Sequence, residues 1–273
     1  MQATSILIAK HDHVATITLN RPSKLNAFDT EMIQSLGEAL ASFSHEEKTL
    51  RCVLLTGSGR GFCAGADLDY LVALRRDNRV EEFHRLLEGG RRVVTFLRQL
   101  PVPVIAAVNG PAAGGGASIA MACDIRIASE SATFTQAFAK VGVHADFGAS
   151  FLLPRLVGES KARELLFTAE TITAMEAYRI GLVSRVVPAE GLPAAAVSLS
   201  KIVASRAALS LKLMKQSLIR YSEEAFREAL DRELEAQFEC FSSPDFLDRL
   251  ESFVRKGEAG FEARGASDED GLG

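Results

Sequence analysis

The chain has no tryptophan, few cysteines, no excess of positive charge and no long hydrophobic run. The four cysteines, Cys52, Cys63, Cys123 and Cys240, show neither a metal-type pairing nor a disulfide spacing, so they read as reduced, mostly buried thiols of a cytoplasmic protein. Lys and Arg number 31 against 35 Asp and Glu, a net charge of −4, which argues against nucleic acid or an anionic membrane as partner. No apolar stretch reaches the length of a membrane span, and the opening M-Q-A-T-S-I is not a signal peptide. No internal repeat is present, and nothing in the sequence calls for a metal or a redox cofactor.

With 47% hydrophobic and 24% charged residues, the 273-residue chain has the composition of a soluble globular protein with a sizeable core. Its most informative stretch runs from Val104 to Asp124. An apolar strand pattern at Val102 to Val108 leads into an Asn109-Gly110-Pro111 turn. Three glycines, Gly114, Gly115 and Gly116, follow, then a small-residue helix pattern from Ala117 to Cys123. Glycines before a helix allow close approach of a ligand, and the helix start offers unpaired N–H groups and partial positive charge. The stretch therefore suits negative charge. It lacks the Gly-Lys-Ser/Thr of a phosphate loop and the G-x-G-x-x-G of a dinucleotide site. A phosphate cradle, an oxyanion hole and a glycine turn serving tight packing all remain open on this stretch alone.

Alternation from Ile6 to Thr18 around His11-Asp12-His13 predicts a hairpin, and Asp29 is a good cap for a helix carrying Met32, Ile33, Leu36, Leu40 and Phe43. Val53 to Leu55 reads as a buried strand, and F-C-A-G-A-D-L-D from Phe62 to Asp69 as a second glycine turn entering a helix. A charged, mobile stretch is expected from Arg75 to Glu82, then a long helix to about Leu100. Short strands are expected at Ile125 to Ala128 and Ala132 to Phe134, a loop from Phe138 to Ser150, three short helices up to Ile180, and a strand at Leu182 to Val187. From Leu192 the pattern is helical throughout, with Phe226, Leu230, Leu234, Phe238 and Phe241 on one apolar face serving the core or an assembly interface. The expected organisation is an α/β core at 1–190, a helical oligomerisation region at 191–260, and a disordered tail at 261–273.

The motifs R-P-S-K-L-N-A-F (Arg21 to Phe28), F-C-A-G-A-D-L (Phe62 to Leu68), N-G-P-A-A-G-G-G (Asn109 to Gly116) and F-L-L-P-R-L-V-G (Phe151 to Gly158) stand in the order and spacing of one family. Over Ile6 to Phe261 the sequence resembles the enoyl-CoA hydratase/isomerase (crotonase) superfamily. The resemblance implies a crotonase-like spiral of ββα units with a helical C-terminal trimerisation region. It implies a homotrimer or dimer of trimers and acyl-CoA thioester substrates, with coenzyme A entering only as part of the substrate. By the same match, the backbone N–H groups of Ala66 and Gly115 form the oxyanion hole. Lys24, Leu25, Ala64, Asp67, Leu68 and Phe138 lie along the CoA and acyl path.

Two departures follow. Where classical hydratases carry two glutamates, this chain has Ser118 and Phe138, neither of which acts as a base near neutral pH. The segment from Ala137 to Gly158 resembles the epoxyphenylacetyl-CoA isomerase subgroup, in which an aspartate at the position of Asp146 is the acid/base. Asp69 is the second candidate acid/base or a charge that raises the pKa of Asp146. The competing role for Asp146 is a helix cap before Phe147-Gly148-Ala149; His144, two residues earlier, is a weaker candidate. Dehalogenases of the superfamily also use an aspartate here, but their tryptophan setting is missing. The expected activity is double-bond movement in an enoyl-CoA-type substrate. The alternatives are an atypical enoyl-CoA hydratase, another reaction of the activated thioester, or a CoA-thioester-binding protein without catalysis.

Overall fold

The computed structural model describes residues 4–44, 49–244 and 246–255. The hairpin β1 (Ile6–His11) and β2 (Val14–Leu19) turns on Asp12 and His13, both in the left-handed region, the geometry of a two-residue hairpin loop. Helix α1 (Thr30–Phe43) is capped by Asp29, which accepts from Met32 N–H at 2.9 Å. Next come β3 (Cys52–Gly57), α2 (Leu68–Arg76), α3 (Val80–Gln99), β4 (Val104–Val108), β5 (Ala112–Ala113) and α4 (Gly115–Ala122). The middle of the chain adds β6 (Ile125–Ser129), β7 (Thr133–Thr135), α5 (Phe138–Val141), α6 (Ala149–Val157), α7 (Glu159–Thr168), β8 (Thr171–Thr173), α8 (Ala174–Arg179) and β9 (Arg185–Val187). Helices α9 (Leu192–Ala204), α10 (Ala208–Arg220) and α11 (Glu223–Ser242) follow, and residues 246–255 are helical.

Six strands form the larger sheet in the order β1-β2-β3-β4-β6-β9, parallel from β2 onward; β5-β7-β8 form a smaller one. Central β4, V-I-A-A-V, is buried along its whole length, as a parallel strand covered on both faces must be. One face of the large sheet packs into the main core with α1 and α3. The other face, Val14, Cys52, Leu54, Ile105 and Ile127, is covered by Leu192 and Ala196 of α9. The first helix of the C-terminal region thus closes the core of its own chain. Buried Lys215 of α10 binds Asp124 (2.6 Å) and the carbonyls of Leu97 (2.9 Å) and Val102 (3.2 Å), fastening α10 beneath β4.

Several expectations need correction. The charged stretch Arg75 to Glu82 is helical except for residues 77–79, and some of its charges pair there, Arg79 with Glu82 and Arg76 with Glu251. The loop expected from Phe138 to Ser150 contains α5 and the first residues of α6, and the strand expected from Leu182 is reduced to Arg185–Val187. Helix α11 buries Phe226, Leu230 and Phe241 as expected, but Glu233 and Gln237 share that face while Leu234 and Phe238 are only partly covered. The tail expected at 261–273 and residues 256–260 of the helical region lie outside the described residues. No single helix among the described residues is long and apolar enough to cross a membrane.

Candidate active site

Three loops converge on a cavity of about 950 Å³. The first is the 21–28 turn, which passes through left-handed Leu25 and Asn26. Asn26 is fully buried: its amide donates to the carbonyls of Ser58 (2.9 Å) and Gly61 (2.8 Å) while its oxygen accepts from Arg21 N–H (2.8 Å). Asn109 binds the same 57–61 turn from the other side. Two of the sequence motifs are therefore joined by asparagine side chains that replace missing sheet partners, as buried backbone groups require.

The second loop, residues 63–67, is stitched to the first by Ala64 N–H to Leu25 O (3.0 Å), Phe28 N–H to Gly65 O (2.8 Å) and Asp67 N–H to Phe28 O (2.8 Å). This pattern skips Ala66, whose N–H has no acceptor among the described residues. The third loop brings Gly114 N–H to Thr135 O (2.9 Å) and starts α4 at Gly115, whose N–H is likewise without an acceptor among the described residues. Glycine is required where the last two loops meet. A Cβ on Gly116 would stand 2.2 Å from Cys63 O, and one on Gly65 2.8 Å from Ala113 O and 3.7 Å from Gly115 N. Both residues that carry the unpaired donors, Ala66 and Gly115, line the cavity.

Asp146 lines the same cavity. The residue as a whole keeps partial exposure, but its Oδ1 is buried without a hydrogen-bond partner among the described residues. Oδ2 accepts from Gln237 Nε2 at 2.8 Å. Burial, then the negative charge of Glu233, push the Asp146 carboxyl well above the usual carboxylate range, opposed by the Gln237 hydrogen bond. The capping role weighed for Asp146 falls to Gly148 instead: α6 has no side-chain cap, and Asp146 contributes only its backbone carbonyl, to Ala149 N–H. Phe147 (φ 53°) and Gly148 (φ 82°) are both left-handed, a turn that carries the chain abruptly from Asp146 into α6.

The other predicted residues differ in how they stand to the cavity. Ser118 is fully buried and donates to Asp146 O at 2.9 Å, so it supports the backbone of the aspartate. Phe138 occupies cavity wall, with Phe28, Phe83 and Phe147. Lys24, Leu25, Ala64, Asp67 and Leu68 all line the cavity. Asp67 is buried, caps α2 and accepts from Arg21 (3.0 Å) and Lys24 (3.4 Å). Asp69 reaches the cavity rim with its side chain 62% exposed and pairs with Lys24. His144 turns its ring to Ala145 O (2.6 Å) and is not on the cavity wall. Burial pushes the thiols of Cys52, Cys63 and Cys123 up to about 12, which leaves them unreactive.

Two site residues were missed. Gln237 donates to Asp146 and to His144 O (2.7 Å), and Glu233 accepts from Gly148 N–H (2.7 Å), Ser150 N–H (2.9 Å) and Ser150 Oγ (2.5 Å). Their clue was present: with Phe226 and Leu230 they continue one helical stripe, two polar residues where apolar ones belong.

The enoyl-CoA hydratase/isomerase family pattern matches residues 9–264. The chain is 39% identical over 259 residues to the short-chain-enoyl-CoA hydratase of Clostridium acetobutylicum, covering 94% of this chain and 97% of that one. To the 1,2-epoxyphenylacetyl-CoA isomerase of Escherichia coli it is 38% identical over 250 residues, 89% of this chain and 92% of the relative. The crystal structure of an enoyl-CoA hydratase from Bacillus halodurans superposes with a TM-score of 0.86 at 28% identity, over 91% of this chain and all of that one.

Proposed function

Because the chain belongs to the enoyl-CoA hydratase/isomerase family, we propose that this acyl-CoA-processing enzyme is an isomerase, moving a double bond through an enolate with Asp146 as acid and base. The thioester carbonyl docks on Ala66 N–H and Gly115 N–H, and Asp146 takes a proton made acidic by that carbonyl. The enolate charge then rests on the two donors, each worth roughly 3–4 kcal/mol in preorganised sites of this kind. The same carboxyl returns its proton to a different carbon, so no net proton is consumed. Lys24, Leu25, Ala64, Asp67 and Leu68 guide the CoA moiety, and the phenylalanine wall takes the acyl group. Asp69, exposed and paired with Lys24, serves the mouth of the cavity. No cofactor enters this scheme.

The observation that carries this reading is the isolated, buried Asp146 Oδ1 beside Ser118 and Phe138, which supply no carboxylate where a hydratase would hold water. The exposed apolar side chains Leu209, Leu213 and Leu218 of α10, with Tyr221 just beyond it, support assembly as a homotrimer or dimer of trimers. The relative named a hydratase favours a second reading, water addition at Asp146.

The test is deuterium uptake from heavy water by a panel comprising butyryl-, crotonyl- and phenylacetyl-CoA, with Asp146→Asn beside the wild type. Exchange abolished by Asp146→Asn is expected. Exchange that survives it moves the base elsewhere, hydration of crotonyl-CoA lost in the variant supports the hydratase, and binding without exchange leaves a CoA-thioester-binding protein.

A further inference from the structure

Gln237 lies 91 residues beyond Asp146 and is 2% exposed, yet its amide is fixed at both ends of its donor capacity. His144 O can only accept, so the Gln237 nitrogen must face it (2.7 Å), and the second N–H of that nitrogen goes to Asp146 Oδ2 (2.8 Å). The carboxyl of Asp146 is thus held in one rotation, with Oδ2 accepting from Gln237 and Oδ1 buried without a partner among the described residues. One turn earlier on α11, Glu233 takes hydrogen bonds from Gly148 N–H, Ser150 N–H and Ser150 Oγ. It fixes the left-handed turn that follows Asp146, including Phe147.

We propose that Gln237 and Glu233 are positioning residues for Asp146: Gln237 fixes the rotation of its carboxyl, and Glu233 holds the turn carrying that carboxyl while keeping a negative charge beside it. The inference rests on the acid/base reading of Asp146. The two residues act on proton affinity in opposite senses. The Gln237 N–H stabilises the ionised carboxyl and lowers its pKa, whereas the Glu233 charge raises it. Other charges near the site are Lys24, Asp67 and Asp69 at the mouth, and His144, whose ring turns to Ala145 O. The walls from α3, α5 and residues 246–255 bring only apolar side chains, and α4 brings Ser118 to the Asp146 backbone.

The experiment measures the pH dependence of deuterium exchange into the fastest-exchanging of butyryl-, crotonyl- and phenylacetyl-CoA, for wild type, Gln237→Met, Gln237→Asn, Glu233→Gln and Asp146→Asn. Thermal melts verify folding. The rise in rate marks ionisation of Asp146. Its midpoint is expected to move to higher pH in both Gln237 variants and to lower pH in Glu233→Gln, each by about one pH unit, with KM unchanged. Helix damage alone moves no midpoint, or moves both the same way. Asp146→Asn silent with every other midpoint unmoved overturns this inference alone. A folded Gln237→Met silent at all pH also overturns it, since Gln237 would then take part in the chemistry. Exchange retained by Asp146→Asn, or absent from the wild type with the whole panel, overturns the acid/base reading and this inference with it. Should one position not tolerate change, the sign of the shift at the other decides.

Discussion

A Cβ on Gly90 would stand 1.8 Å from Cζ of Phe147, so the ring of the residue after Asp146 occupies the space of a missing side chain on α3. Gly90→Ala is therefore expected to destabilise by about 2 kcal/mol, since overpacking outweighs the gain of about 1 kcal/mol that Ala brings to a helix interior. Gly37→Ala in α1, whose Cβ would meet only Val93 at 3.8 Å, is expected to stabilise. Urea unfolding of both variants checks the reversal; equal signs would remove the Gly90–Phe147 pairing as a constraint.

Asp146→Asn is expected to stabilise the fold increasingly as pH rises. The folded pKa of Asp146 lies above its unfolded value, so the stability linked to its proton is complete below about pH 3.9 and is lost as pH climbs through the folded value. Asparagine escapes that loss, about 1.4 kcal/mol for each unit separating the two values. Melting temperatures of both proteins from acid to mildly alkaline pH should diverge upward; parallel curves would mean a carboxyl with ordinary proton affinity.

Asp69→Asn separates mouth from chemistry. With its side chain 62% exposed and paired to Lys24, its loss should leave kcat within about twofold; on the proposal that Lys24 lies along the CoA moiety, KM should fall, since Lys24 then keeps only Asp67 at 3.4 Å. The KM gain should fade with added salt. A fall in kcat of about a hundredfold or more would instead make Asp69 the second acid/base.

Ser118→Ala removes the hydroxyl that binds Asp146 O and should cost about 1–2 kcal/mol of stability. The midpoint of the exchange profile should stay in place, because the hydroxyl meets the backbone and not the carboxyl. Loss of exchange in a folded variant would give Ser118 a direct part in the reaction.

Lys215→Met leaves Asp124 with Val104 N–H alone and should cost about 3 kcal/mol, without moving the exchange midpoint. Chemical denaturation together with the exchange profile checks both halves of the expectation.

Much of this arrangement can be read along the chain. Asp29 caps its helix, Gly65, Gly115 and Gly116 stand where loops meet closely, and Phe138 fills wall, because each depends on local backbone rules or on size. Glu233 and Gln237 could not be read so easily. On a helix rich in charge, two more polar residues look like surface, and only packing of α11 against α6 turns them inward. The stretch Arg75 to Glu82 misleads for the opposite reason: a run of charge resembles a linker, while here α2 and α3 take up most of it and Arg76 and Arg79 find acidic partners, Glu251 and Glu82.

The link from α11 back to Asp146 gives the enzyme an order of assembly. A chain emerging from the ribosome completes both unpaired N–H donors and Asp146 long before Gln237 is made. On the proposed reading, the carboxyl that takes the proton is therefore finished only when Gln237 of α11, 91 residues further along the chain, comes to rest against it.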